Sequence, residues 1–164
     1  MRKTGMILGL VLMVALAACG PQKFKDYSGP QVTQIQVYKS QRVLYLLHDN
    51  QIVKTYKVYL GFNPVGPKHF EGDGKTPEGL YYINRRNPKS AFYLSLGISY
   101  PNETDVEVAR KAGKNPGGDI FIHGEPNESK KSGDWTTGCI AMTDKEMRDI
   151  YAMVPEGTPI FIFP

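Results

Sequence analysis

His123 and Cys139 are the residues of this 164-residue chain whose types and surroundings best suit nucleophilic chemistry. A free thiol is only a few per cent thiolate near neutral pH, so a working cysteine wants an imidazole within hydrogen-bond reach to take its proton. His123 closes the apolar run Ile120-Phe121-Ile122, which would hold it at a rigid strand end. Gly124 follows, and its unobstructed backbone carbonyl suits orienting the ring nitrogen that faces away from the sulfur. Fourteen residues on, Gly138 lets the chain pass close to a substrate, where the backbone N–H groups of Gly138 and Cys139 suit a developing oxyanion. On composition alone, a buried apolar cysteine or an intermolecular disulfide carries comparable weight for Cys139.

Other constellations fail on chemistry. Gly72-Asp73-Gly74-Lys75-Thr76 looks like the end of a phosphate-binding loop, but His69 stands where the first glycine belongs. Pro77, directly after Thr76, opposes the helix that would hold the phosphate. Glu71 and Asp73 lack the ligand series of a calcium loop and read as loop acids. His48, His69 and His123 lack zinc spacing, and the two cysteines form no C-x-x-C pair, so neither metal nor cofactor is expected. His48 and His69 read as surface or structural histidines.

The elements that must position the pair are mostly strands. Ile35 and Val37, then Val43, Tyr45 and Leu47, then Ile52, Tyr56, Val58 and Leu60 fall in period-two segments separated by turn residues, which predicts a β-meander. Residues 61–79, rich in Pro and Gly, exclude helix and predict a long constrained loop of the kind that usually serves function. Leu80–Ile83, Phe92–Leu96 and Asp119–Ile122 read as short strands, and Thr158–Phe163 as a closing one. One helix is well marked at about 143–154. Thr143 and Glu146 form a capping box, and Met147, Ile150, Tyr151 and Val154 recur at helical spacing. A short second helix is expected at about 104–112.

The chain begins as an exported protein would. Arg2 and Lys3 precede an apolar run from Met6 to Ala18, and Leu16-Ala17-Ala18-Cys19 resembles a bacterial lipobox, whose cysteine is acylated after cleavage. The implied organisation is a lipoprotein signal over 1–18, a tether over 19–30 and one domain over 31–164. Lipidation at Cys19 implies a membrane anchor on the periplasmic side. Gly20 in place of an aspartate favours the outer membrane over the inner by resemblance to Gram-negative lipoproteins. Without Arg2 and Lys3 the 20 lysines and arginines fall to 18, against 16 acids, which removes the basic excess a nucleic-acid partner would need. Lys130-Lys131 reads as a solvated loop. With Cys19 acylated, Cys139 has no intramolecular partner, in a compartment where thiols are normally paired.

At His123-Gly124 through Ser132-Gly133-Asp134-Trp135-Thr136-Thr137-Gly138-Cys139, the sequence resembles the signature of the YkuD-type L,D-transpeptidases, a His-Gly, a loop of about fifteen residues and a Ser/Thr-x-Gly-Cys. Gly72–Gly79 with Leu80-Tyr81-Tyr82-Ile83 resembles the family's T-P-x-G-x-Y/F segment, and Gly117–Gly124 its histidine-bearing strand. The resemblance implies a mainly β, YkuD-like mixed sandwich or barrel-like domain. It further implies that Cys139 attacks the L-centre carbonyl of the third residue, usually diaminopimelate, of a peptidoglycan stem tetrapeptide. D-Ala then leaves, and an acceptor amine resolves the thioester. His123 serves as base and then acid, and the carbonyl of Gly124 matches the orienting third member. Carbapenems, which acylate this family's cysteine, are implied inhibitors.

Thr137 and Ala141 stand where many members carry His and Asn or Arg, which touches recognition of the stem carboxylates and the choice of acceptor. Arg85, Arg86, Ser95 and Tyr100 are candidates for that recognition, alongside solvated or structural roles, and Trp135 for a wall of the substrate site. Two other readings remain open. One is an L,D-carboxypeptidase or a hydrolase releasing wall-bound protein with water as acceptor; the other is a catalytically inactive, wall-binding lipoprotein.

Overall fold

The computed structural model describes residues 22–125 and 133–164, so the leader, Cys19 and the Lys130-Lys131 pair lie outside the described residues. The expected meander forms as β1 (Gln34–Tyr38), β2 (Val43–His48) and β3 (Gln51–Lys57), paired antiparallel in chain order. Its phase differs in β2. Leu44 and Leu46 face the core, not Val43 and Tyr45, because the register sets them opposite the buried Val37 and Ile35. The segment VLYLLH is apolar on both faces, so its own alternation cannot decide which side is inside. Leu47 is buried too, beside a bulge that leaves Ile52 exposed on the partner strand.

Five further strands follow, β4 (Gly79–Asn87), β5 (Ser95–Ile98), β6 (Phe121–His123), β7 (Ile140–Ala141) and β8 (Pro159–Phe163). β4 runs four residues past the expected stretch. The strand expected from Phe92 starts only at Ser95, because Tyr93 takes a left-handed conformation (φ 67°) that breaks extension. β7, two residues long, has no sequence signal. The eight strands form one mixed sheet in the order β3-β2-β1-β8-β4-β5-β6-β7, with parallel pairs β1/β8 and β6/β7. The sheet curls into a half-barrel. The chain leaving β3 bonds to β7 through a reciprocal pair between Tyr59 and Ala141, both 2.8 Å, which ties the two sheet edges together.

Helix α1 (Glu103–Lys111) is capped by Asn102, whose side chain and backbone exchange bonds with Asp105. Helix α2 (Asp144–Met153) starts at Thr143 with the expected capping box, Glu146 N–H donating to Thr143 Oγ1 at 3.3 Å and Thr143 N–H to Glu146 Oε2 at 3.1 Å. It buries Met147, Ile150, Tyr151 and Met153, each worth about 1.5–3 kcal/mol by area removed from water. Among the described residues no helix is long and apolar enough to cross a membrane. Part of the expected tether lies on α2: Lys25 pairs with Asp149 at 2.7 Å, Arg148 donates to Gln22 O at 3.3 Å, and Phe24 sits 6.3 Å from Tyr151.

The 61–79 loop is free of helix and held from within. Lys39, 2% exposed, donates to Gly66 O at 2.7 Å, Thr76 O at 2.9 Å and Glu78 at 2.7 Å. Asp73 accepts the N–H groups of His69, Phe70 and Lys75 and the Lys68 ammonium, at 2.8–3.1 Å. Burial pushes its carboxyl pKa up, but these four donors outweigh that and hold it below the ordinary value.

Candidate active site

Strands β6 and β7 run parallel with Ile122 opposite Ile140 and His123 opposite Ala141. His123 therefore ends one strand while Cys139 stands immediately before the other, on adjacent chains and two residues apart along the ladder. Both side chains line one cavity of 350 Å³, together with Phe92, Ser95 and Phe121.

The His123 ring is fixed from behind. Its Nδ1 lies 2.7 Å from Gly124 O, a carbonyl that can only accept, so Nδ1 carries the proton and Nε2 is the basic nitrogen. Burial lowers the imidazole pKa, and the Gly124 carbonyl opposes that only in part. Gly124 itself admits no side chain: an added Cβ would lie 2.4 Å from Asp144 Oδ1 and 2.9 Å from Phe92 O.

The Cys139 thiol donates to Asp119 O at 3.6 Å. Burial raises its pKa and the Asp119 charge adds to this, whereas the Phe121 N–H and the Lys68 ammonium favour the thiolate. Burial thus moves imidazole and thiol in opposite directions, and both shifts favour the uncharged pair. Such a pair supports attack by general-base catalysis, with the proton moving from sulfur to Nε2 as the S–C bond forms.

The oxyanion donors differ from expectation. Gly138 N–H donates to Thr136 Oγ1 at 3.1 Å, while that hydroxyl donates to Cys139 O at 2.7 Å. Gly138 is thereby committed to shaping the turn, and Cys139 N–H, which has no acceptor among the described residues, is the available donor. Gly138 is required on other grounds, because its φ is 143° and an added Cβ would lie 2.7 Å from Lys75 O.

Trp135 backs the histidine rather than walling the cavity. Its ring meets His123 edge-on at 5.5 Å, and Phe92 covers both, 4.5 Å from His123 and 6.0 Å from Trp135. Asp134 anchors this segment by accepting from Arg42 Nη2 at 2.7 Å, Arg42 Nε at 3.0 Å and Leu60 N–H at 2.9 Å.

A second cavity, of 280 Å³, opens on the other side of Cys139 between Lys68, Glu71 and Gly72 and the segment Gly117–Ile120. Thr137, exposed, lines both cavities, as does Asp119. Ser95, buried opposite His123, is in the histidine-side cavity as proposed. Arg85 lines neither cavity but contacts two residues that do, pairing with Asp119 at 2.6 Å and lying over the Phe121 ring at 4.4 Å.

Two candidates are corrected. Arg86 lies over the Tyr151 ring and donates to Tyr151 O and Val154 O, capping the end of α2 instead of meeting substrate. Tyr100 is buried and donates to Pro116 O at 2.9 Å, which supports the Gly117 loop. His48 and His69 lie outside both cavities, and Cys19 lies outside the described residues. Sequence reasoning missed Thr136, Phe92, Lys68 and the Asp119 carbonyl. Only Thr136, two residues before a glycine in a turn, carried a local signal. Among the described residues no group of three or more His, Cys, Asp or Glu is placed to hold a metal.

A curled mixed sheet that sets a thiol and a tautomer-fixed imidazole in one cavity on adjacent parallel strands is a domain fit for acyl transfer. Residues 33–162 match the YkuD family model, described as an L,D-transpeptidase catalytic domain, and the chain belongs to that family. It is 28% identical over 171 aligned residues to YafK of Escherichia coli (strain K12), which carries the name L,D-transpeptidase as a provisional assignment; the match covers 94% of this chain and 64% of YafK. The helical cell shape determining protein Pgp2 of Campylobacter jejuni, as its K307A mutant, superposes with a TM-score of 0.63 at 27% identity, covering 83% of this chain and 48% of Pgp2. The avibactam carbamoyl enzyme of Ldtfm shares the fold, with a TM-score of 0.57 at 18% identity over 82% of this chain and 49% of its own. The chain thus spans less than two thirds of each of these proteins.

Proposed function

We propose that this protein is a peptidoglycan L,D-transpeptidase that works through a thioester on Cys139, exported and lipid-anchored at Cys19, with the outer membrane favoured. The observation that carries the reading is the bond from His123 Nδ1–H to Gly124 O, which leaves Nε2 as a base in the cavity it shares with Cys139. In acylation the thiol proton passes to Nε2 and the sulfur attacks the L-centre carbonyl of the third stem residue. Cys139 N–H donates to the oxyanion. The C–N bond to the terminal D-residue breaks, and its amine leaves with the proton held by His123. An acceptor amine then attacks the thioester, gives a proton to His123 and forms the new amide, and the thiol is restored.

The test is mass spectrometry of muropeptides after incubation with purified protein. Loss of the terminal D-residue with a new amide supports transfer. Loss without a new amide assigns water as acceptor, through the same thioester. Cys139→Ala should abolish either product while keeping the fold, and retained turnover in that variant would sink the nucleophile. A carbapenem or avibactam, the latter a carbamoylating agent of the fold neighbour Ldtfm, should add its mass to the parent chain and not to the variant.

A further inference from the structure

The outer face of the meander carries a groove of 550 Å³ that shares no lining residue with either cavity at Cys139. It follows β2 from Gln41, in the turn before the strand, to Asn50, in the turn after it, about 20 Å along six residues. Leu47, buried, and Ile52, 57% exposed, supply its apolar part. Tyr38 and Tyr45 line it with their rings edge-on at 5.8 Å, and Tyr38 also packs on Phe163 at 4.9 Å. Rings held by such neighbours lose little freedom when a ligand packs on them. Three amides, of Gln36, Gln41 and Asn50, complete the lining. Gln36 is oriented by a chain of bonds: Tyr38 O–H donates to Gln36 Oε1 at 3.2 Å, Gln36 Nε2 to Gln34 Oε1 at 3.4 Å, and Gln34 Nε2 to Asp49 O at 2.8 Å. The Gln41 and Asn50 amides and the Tyr45 hydroxyl have no hydrogen-bond partner among the described residues and stay open to a ligand.

No residue lining the groove is charged, although 22% of the chain is. The same holds along the cross-strand row of Thr55, Tyr45, Gln36, Phe161 and Leu80, which continues the face over β1, β8 and β4. Lys57 and Asp49 flank the groove without lining it. An uncharged aromatic surface of this extent on the solvent side of a sheet marks a binding face. Nucleic acid and anionic lipid both need Lys or Arg at the contact, which the groove lacks. A second copy joined about a two-fold axis would set the groove against itself, and two concavities leave a void between them. A neutral, polyhydroxylated chain does fit. The C–H faces of pyranose rings pack on Tyr38 and Tyr45, hydroxyl groups pair with amides that both donate and accept, and acetamido methyl groups reach Leu47 and Ile52. We propose that the groove along β2 binds a neutral glycan strand of N-acetylated sugars, a second contact with the wall polymer apart from Cys139. That the glycan is the wall's own rests on the peptidoglycan reading; the preference for a neutral saccharide does not.

The probe is chitotetraose, a neutral β-linked N-acetylglucosamine tetramer without stem peptide, titrated into the full chain and followed by NMR at the side-chain amides of Gln36, Gln41 and Asn50. Those signals should shift together and saturate, with affinity changing less than about twofold between low and high salt, as contact between uncharged groups requires. Tyr45→Ala should weaken binding about 5- to 30-fold. Gln41→Ala, at an exposed turn position, should weaken it about two- to tenfold, and both variants should keep the parent's melting temperature. Turnover of an isolated tetrapeptide should be unchanged in both, while KM for intact wall rises. Absence of saturable binding, or binding that survives both changes, overturns the proposal. So does dimerisation of the parent that Tyr45→Ala abolishes, which would make a second copy the occupant. The two readings fail separately. Chitotetraose binding with no thioester from any stem would sink acyl transfer alone, and thioester formation without chitotetraose binding would sink the groove alone.

Discussion

If the catalytic pair rests uncharged, its pH dependence follows from the structure. Ordinary values of 6.5 for an imidazole and 9.0 for a thiol already place proton transfer from sulfur to ring uphill by 2.5 pH units, about 3.4 kcal/mol. Burial lowers the first and raises the second, so the gap widens. The thiolate–imidazolium pair then amounts to less than about one part in 300. Acylation should rise with pH along a limb whose midpoint lies below 6.5, where His123 loses its proton, and should stay high through neutrality. Thiolate absorbance and iodoacetamide alkylation of Cys139 should instead have a midpoint above 9.0. His123→Ala should slow acylation about 10²- to 10⁴-fold, the range for a positioned acid–base group, while His69→Ala leaves it unchanged. Thioester formation by mass spectrometry from pH 4 to 10, beside alkylation over the same range, is the assay. A thiolate seen at pH 7 that disappears in His123→Ala would refute the argument, because it requires the preformed ion pair that burial disfavours.

Asp134→Ala should cost about 2–3 kcal/mol, since it strands the Leu60 N–H and frees Arg42, and should lower acylation as Trp135 loses its anchor; chemical denaturation and thioester kinetics measure the two effects, and unchanged values for both would remove Asp134 from the site. Gly138→Ala should destabilise the protein by about 1–3 kcal/mol and suppress acylation, because a Cβ there is both strained and pressed on Lys75 O. Cys19→Ser should release the protein from washed membranes, and if it stayed bound the lipobox reading would fail.

The parts of this fold that sequence made legible are those in which a side chain states its own role. Thr143 and Glu146 announce a capping box whichever way the chain folds around them, and α2 begins where they place it. Ile35 and Val37 alternate with polar neighbours and are buried as expected. Legibility fails where the deciding group belongs to another element. The inward face of β2 is chosen by its register with β1, and the two-residue β7 exists only because β6 and the chain leaving β3 bond to it from either side. Arg85 and Arg86 are equal candidates by type, yet consecutive residues of a strand point to opposite faces, and only Arg85 meets the cavity-lining Asp119 and Phe121.

The same reasoning explains why Cys139 and His123 stand out in the sequence and most of what surrounds them does not. Cysteine and histidine carry their chemistry in side chains, but apart from burial the groups that touch them are backbone: the carbonyl of Gly124 behind the ring, legible from its place next to the histidine, and the carbonyl of Asp119 accepting the thiol's hydrogen bond and the N–H of Phe121 beside the sulfur, which nothing local announces. Every residue has these groups, so residue types cannot single them out. Asp119 is the clearest case. In sequence it opens a short apolar strand, and its carboxylate is spent at the surface on Arg85. Its backbone holds a left-handed angle, φ 54°, which aspartate tolerates better than most residues, and its carbonyl meets the thiol at a point where its atoms border both cavities. At position 119 it is thus the backbone carbonyl, not the carboxylate, that meets the thiol directly.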